Sequence, residues 1–467
     1  GITTDISVGT YGKYPLTEVE QEALMRPLTK WNTVIKQAAH SPRMVRAAFR
    51  AMTTGRPGAA HLGLPYDIQY DPVEPEDIWA DPAHQTFPAY PTGPDRPSVE
   101  RAVEVILSAR QPLIVCGGGV VIAGATQALA QLAERLDIPV ATSISGQGAL
   151  AEVHPNCVGV VGSNGGTDET WEAMESADLV IFMGCRAGST TTARWEAPSP
   201  GSRIVHFDSD PMVIGANYRT EAGVVGDLRL SLEMVNAVLE DVAGRQEAHL
   251  PSFGGAARAT DIKRRKFEVF ERHATADVPI RPERLIKTLS KLLPEDAVVL
   301  SDPGTSCPYL SAYHPLPRAG RHFITNRAHG ALGYAMSAAL GAWYARPGAK
   351  IVALMGDGSF GFTAGELETI CRARADITYI VLSNASFGWI KASQKDDKGG
   401  RYHNVDFDRV DQAAVAAAYG VTSWRVDDPA DLERTLTQAL AHNGPSLVDV
   451  ITQPLEEAHA PVRRWMG

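Results

Sequence analysis

Short apolar runs alternate with amphipathic stretches along most of the chain. Residues 112–116, 138–141, 179–183, 204–207, 298–300, 351–355 and 377–382 are strand-length runs without polar alternation. Such runs belong to strands buried on both faces. Between them, apolar positions recur with helical spacing. In 123–136 (AGATQALAQLAERL), Leu129, Leu132 and Leu136 share one helix face. Strands alternating in this way with helices predict an α/β fold with doubly wound parallel sheets.

The alternation lapses twice. Residues 71–98 carry Pro72, Pro75, Pro82, Pro88, Pro91, Pro94 and Pro97 among acidic residues, and residues 244–280 are polar and charged with few periodic apolar positions. Read as linkers, they leave a short piece 1–70, a middle Rossmann-like domain 99–243 and a C-terminal domain 281–460. The 467 residues suffice for such a division, since domains run to roughly 100–200 residues each.

Composition narrows the function classes. With 44% hydrophobic and 21% charged residues, the chain has the make-up of a soluble globular protein. Net charge is −10 with no concentration of Lys and Arg, which argues against a nucleic-acid partner. No apolar run is long enough for a membrane span. Gly1-Ile2-Thr3-Thr4-Asp5 reads as neither signal nor transit peptide. The five cysteines are widely and irregularly spaced, so they read as small buried hydrophobes in a reducing compartment, the cytoplasm.

Residues 351–394 carry the chemistry. A strand leads into Gly356-Asp357-Gly358-Ser359, Thr363-Ala364-Gly365-Glu366 reads as a capping box opening a helix, and a second strand delivers Asn384. Asp357 and Asn384 are 27 positions apart, which in a strand–helix–strand unit puts both just past the carboxyl ends of neighbouring parallel strands. Open α/β sheets bind ligands there. A carboxylate and an amide oxygen are hard ligands that suit Mg²⁺. Gly358 allows close backbone approach to a phosphate, and Ser359 offers an N–H and a hydroxyl. A Gly-Asp-Gly triplet by itself is a turn sequence. The strand on each side and the terminal Asn turn it into a diphosphate site bridged by Mg²⁺.

From Gly356-Asp357-Gly358 through Asn384, the chain resembles the thiamine-diphosphate signature of the decarboxylase and acetolactate synthase family. Residues 27–31 (PLTKW), 54–58 (TGRPG) and 65–69 (PYDIQ) resemble the end of that family's pyrimidine-binding domain, and 206–227 its middle domain. The resemblance implies Asp357, Asn384 and the Ser386 carbonyl as Mg²⁺ ligands. It implies Gly304, Thr305 and Ser306 as diphosphate contacts, and Gly330 to Tyr334 as the segment gripping the aminopyrimidine. Leu332 would then prop the cofactor in its bent form, and His329 is a candidate proton relay. The implied activity is carboligation or decarboxylation of a 2-oxo acid. A diketone hydrolase, an acyl transferase of the same family and a non-catalytic subunit that retains the fold are the alternatives.

Several features depart from the family pattern. The glutamate that contacts the pyrimidine lies in a segment preceding those matched here, and Glu18, Glu20 and Glu22 do not fit its motif. The expectation is therefore a second polypeptide or cleaved fragment that completes the first domain, within a homo-oligomer. Trp389 stands where acetolactate synthases usually have Met, and Ser393 where they usually have Trp, so the substrate wall is rearranged. Lys391, Lys395 and Lys398 are either attractors of a carboxylate substrate or a solvated face. Gly117-Gly118-Gly119 and Gly184-Cys185-Arg186 follow strands where this family binds FAD, although Ala187-Gly188 replace the usual Phe-Asp.

Overall fold

A computed structural model describes residues 1–246, 249–326 and 329–463, apart from the side chains of residues 245 and 246. Its three sheets are all parallel. The middle sheet runs in the order Cys157–Val160, Val140–Thr142, Pro112–Cys116, Leu179–Met183, Arg203–Asp208, Ala222–Val225. The chain winds outward from Pro112–Cys116, crosses to Leu179–Met183 and winds outward again. The topological switch therefore lies between these two strands. The C-terminal sheet runs Phe323–Ile324, Val298–Ser301, Ile351–Gly356, Ile377–Ser383, Ser446–Ile451, Thr422–Val426, with its switch between Val298–Ser301 and Ile351–Gly356.

The unbroken apolar runs follow from helices covering both faces of each sheet. Along Pro112–Cys116, Ile114 and Cys116 enter one core while Leu113 and Val115 enter another. Along Ile351–Gly356, Val352 and Leu354 point one way and Ile351, Ala353 and Met355 the other. Side chains alternate across a strand, so a strand with two dry faces must be apolar at every position.

Three readings of the sequence need correction. Residues 244–280 are not a plain linker: Gly255–His273 is a 19-residue helix that buries Ala259, Ile262, Lys266 and Phe270. Its buried stripe is narrow and includes a lysine, and its outer face is laced with ion pairs such as Arg264–Glu268 and Arg265–Glu172, so it reads as polar. The helix expected from residue 123 begins at Thr126, because Gly118–Ile122 is a separate short helix and the chain turns between them. Within 71–98 the backbone forms only short 3₁₀ turns until helix Arg96–Leu107 starts, with Asp95 accepting the Ser98 N–H at 2.9 Å. In residues 1–70, Ile2–Asp5 pairs with Ala60–Pro65, which in turn pairs with Trp31–Val34. This sheet has a small core around Ile35, Ala48 and Leu62, while Tyr14 and Leu16 are 95% and 90% exposed.

All five cysteines are free, with Cys371 half-buried and the others buried. Among the described residues, no helix is long and apolar enough to cross a membrane.

Candidate functional site

At the switch point of the C-terminal sheet, strands Val298–Ser301 and Ile351–Gly356 end beside a cavity of about 150 Å³. Three helices begin there: Ser306–Tyr313, Asp357–Thr363 and Gly388–Lys398. First-turn N–H groups have no partner within their own helix, so three such starts make the cavity attractive to anionic oxygen. Pro303, Gly304 and Thr305 form one wall, Gly330 and Leu332 a second, Gly356 to Ser359 the floor, and Ser386 to Ile390 the remaining side.

Asp357 is 5% exposed. Its Oδ1 accepts the Gly358 N–H at 2.9 Å, and its Oδ2 accepts the N–H groups of Asn384 and Ala385 at 2.9 and 2.7 Å. Ala385 takes a left-handed conformation (φ 56°), which turns the chain so that these successive amides face one carboxylate oxygen. Burial raises the Asp357 carboxyl above its usual range against the pull of these N–H groups. No ion pair to Asp357 is present among the described residues. The Asn384 Oδ1 accepts the Ser386 N–H and hydroxyl at 3.2 and 3.1 Å, while its Nδ2 is buried without a partner.

Close approach decides what Gly358 can be: a Cβ there would lie 2.8 Å from the Phe387 ring. The Phe387 ring meets Phe407 edge-on at 5.2 Å, and Phe387 N–H donates to the Val405 carbonyl, which holds the 385–387 turn in place.

The structure gathers Gly304, Thr305, Gly330, Leu332, Asp357, Gly358, Ser359 and Ser386 around one cavity, with Asn384 directly behind it. Two candidates sit elsewhere. The Ser306 hydroxyl meets Ser301 at 2.8 Å and the Leu354 carbonyl at 3.3 Å, so it is turned into the sheet. His329 is exposed and is not part of the cavity wall; its N–H donates to the Asn326 carbonyl. The expected capping box does not form. The strand runs straight into helix Asp357–Thr363, Thr363 ends that helix with its hydroxyl on the Gly333 carbonyl, and helix Glu366–Ala373 starts without a side-chain cap.

Asp302 stands two residues before Gly304, and nothing in the sequence marks it out. It is fully buried, and its carboxylate accepts the N–H groups of Gly333 and Ala335 at 2.8 and 2.7 Å. It also engages the Ser359 hydroxyl, and burial raises its own carboxyl. Asp302 thus ties the loop carrying Leu332 to the floor of the cavity. Lys391 is paired with Asp406 and Glu456 at 2.7 and 2.8 Å, and Lys395 donates to the Glu456 carbonyl. Ser393 lies on the same helix, its hydroxyl 3.4 Å from Asp397.

The middle sheet has a larger opening at its own switch point, about 920 Å³, lined by Gly117 to Gly119, Gly184 to Arg186, Asp208 and, from the N-terminal unit, Gly55 to Pro57. The two strand ends touch backbone to backbone: a Cβ on Gly117 would lie 2.1 Å from the Gly184 carbonyl oxygen.

Two doubly wound sheets, each with an opening at its switch point, and one opening floored by a buried carboxylate and helix N-termini, define an α/β protein of the phosphate-ligand-binding class. Comparison with known proteins makes the class specific. Residues 99–235 match the family described as thiamine pyrophosphate enzyme, central domain, and residues 302–450 match thiamine pyrophosphate enzyme, C-terminal TPP binding domain. The chain is 30% identical over 465 residues to a probable acetolactate synthase large subunit from Methanocaldococcus jannaschii, covering 97% of this chain and 77% of the relative. It is 27% identical over 440 residues to the acetolactate synthase isozyme 3 large subunit of Escherichia coli, covering 94% and 76%. It is 28% identical over 450 residues to an Escherichia coli glyoxylate carboligase, covering 93% and 74%. The chain belongs to the thiamine pyrophosphate (thiamine diphosphate) enzyme family and is similar to acetolactate synthase large subunits.

Proposed function

We propose that the protein is a Mg²⁺- and thiamine-diphosphate-dependent carboligase acting on a 2-oxo acid, of the acetolactate synthase kind. The observation that carries this reading is Asp357: a buried carboxylate without a basic partner, at a switch point where three helices begin. Asp357 and the Ser386 carbonyl offer the hard oxygens Mg²⁺ favours. The Asn384 oxygen is turned to Ser386, and rotating the amide exchanges it for the unpartnered Nδ2. The Ser386 hydroxyl accepts as well as donates, so one of the two contacts survives that rotation.

Gly304, Thr305, Gly358 and Ser359 would hold the diphosphate, and Gly330 and Leu332 the ring end. Bound thiamine diphosphate supplies an electron sink for carbanion character beside a carbonyl. The chain contributes orientation and exclusion of water. Leu332, Phe387, Trp389 and Ile390 form an apolar wall over the site, and electrostatic contacts strengthen where water is kept out. Lys391 is already neutralised by two carboxylates, so it steadies its helix rather than receiving the substrate carboxylate.

None of residues 1–100 lines the 150 Å³ cavity. We take the pyrimidine-side cover and its glutamate to come from a second copy of the protein or an associated polypeptide. In the reducing cytoplasm the five free thiols would stay reduced.

FAD is the second proposed ligand. Its support is the 920 Å³ opening at the switch point of the middle sheet, where Gly117 and Gly184 leave no room for side chains. Gly117 to Gly119 and Arg186 would hold it.

The test is turnover of a panel of 2-oxo acids, pyruvate and glyoxylate included, with thiamine diphosphate and Mg²⁺, following CO₂ and hydroxyketone. The expected result is hydroxyketone formation that depends on both additions. Cofactor-dependent cleavage of a diketone instead would move the reading to the hydrolase branch. No turnover in a cofactor-loaded oligomer would leave a non-catalytic subunit.

A further inference from the structure

Outside the thiamine site, the structure brings together three metal-ligating side chains that lie far apart in sequence. His273 is the last residue of helix Gly255–His273, Glu283 lies in the first turn of helix Pro282–Leu292, and His459 follows strand Ser446–Ile451. One ligand atom from each lies within 4.8 Å of the others. The two imidazoles stack with centroids 4.3 Å apart and planes 9° from parallel.

Glu283 is the unusual member. It is 1% exposed, and neither carboxylate oxygen has a well-directed hydrogen bond. An unpaired buried carboxylate is costly unless it is neutralised. Arg281, whose charge acts on Glu283, is engaged by Asp277 at 2.6 Å. The buried Tyr309 hydroxyl also lacks a partner and feels the Glu283 charge. The Arg281 guanidinium also reaches the His273 Nδ1 at 3.5 Å, at the far limit of a hydrogen bond. The stacked imidazoles leave the Glu283 carboxylate without a hydrogen bond. A cation between them satisfies all three.

We propose that His273, Glu283 and His459 bind a divalent transition-metal ion, Zn²⁺ by the chemistry of the set. Two imidazoles and one carboxylate make a three-ligand zinc set with the fourth position left for water. In a tetrahedral site the ligand atoms lie roughly 3.4 Å apart, given metal–ligand bonds near 2.1 Å. The present set closes to that spacing by side-chain rotation, with the exposed His459 ring tilting off His273. The ion would tie helix Gly255–His273 to the segment bearing Leu455 and Glu456. That segment backs the thiamine cavity: Leu455 Cβ lies 3.0 Å from where a Gly388 Cβ would stand, and Glu456 pairs with Lys391. The role is structural, a clamp behind the cavity wall.

The test titrates chelator-treated protein with ZnCl₂ in the presence of saturating Mg²⁺ and thiamine diphosphate, so that the Asp357 site is already filled. Calorimetry gives stoichiometry and affinity, and Co²⁺ in place of Zn²⁺ gives visible bands diagnostic of low-symmetry coordination. The expected result is one tight equivalent per chain. His459→Ala and Glu283→Gln should each weaken it at least a hundredfold, with the Co²⁺ bands lost. His459 is exposed, so its variant should fold; His459→Asn is the second variant at that position. Absence of zinc uptake at micromolar metal, or uptake unchanged in His459→Ala and His459→Asn, overturns the proposal.

Discussion

Replacing Asp357 with Asn separates the fold from the cation. Oriented with its oxygen toward Asn384 and Ala385, the amide keeps those two N–H bonds and loses the one from Gly358. One lost hydrogen bond costs about 1–2 kcal/mol. Removing a buried charge that has no basic partner offsets part of it, so stability without ligand should change by no more than about 1 kcal/mol. Cation binding should suffer far more, because the only ionised ligand of the proposed set is gone. A hundredfold weaker affinity corresponds to about 2.7 kcal/mol. At ligand concentrations a hundred times the wild-type dissociation constant, thiamine diphosphate with Mg²⁺ stabilises the native protein by about 2.7 kcal/mol. The same concentrations should stabilise Asp357→Asn by only about 0.4 kcal/mol. Chemical denaturation of both proteins, with and without Mg²⁺ and cofactor, reads these differences directly. If the variant keeps more than about 2 kcal/mol of Mg²⁺-dependent stabilisation, Asp357 is not a metal ligand and the site is misread.

Asp302→Asn leaves the cation ligands intact but loosens the Gly333 and Ala335 amides; it should cost about 1–3 kcal/mol and raise the apparent KM for thiamine diphosphate without altering that for Mg²⁺, which steady-state kinetics against each component will distinguish. Gly117→Ala forces a Cβ to 2.1 Å from a backbone oxygen; it should destabilise the protein by about 3 kcal/mol or more and abolish any flavin absorbance of the purified protein, while a stable, flavin-bearing variant would contradict the close backbone contact. Burial pushes the His314 imidazole down to about 4, and its Nδ1 meets the Ser290 hydroxyl at 2.8 Å. The unfolded chain therefore binds this proton more tightly, so stability from His314 is full above pH 6.5 and is lost as pH falls toward 4. The loss is about 3 kcal/mol at 1.36 kcal/mol per unit. Denaturation curves of His314→Gln across this window should be flatter by that amount, and an unchanged slope refutes the assignment.

Much of this protein is legible in its local pattern. The strands were readable because both faces of each sheet are covered, which leaves no polar alternation to confuse them with surface strands. Asp357 and Asn384 were readable because a strand–helix–strand unit sets where its strand ends lie, whatever surrounds it. Other features depend on contacts between segments distant in sequence. Ser306 looks like its neighbour Thr305 until the sheet places Ser301 and Leu354 against its hydroxyl. Asp302 gains its role only when the loop at Gly333 folds over it. Helix Gly255–His273 reads as linker because only five of its 19 positions are buried, one of them Lys266. Strand Ile2–Asp5 is too short to declare itself without Ala60–Pro65 beside it. The meeting of His273, Glu283 and His459 has no local signature, since each is an ordinary residue in its own segment. A local pattern records which face of an element is dry; only the packed structure decides which polar groups meet across the space between elements.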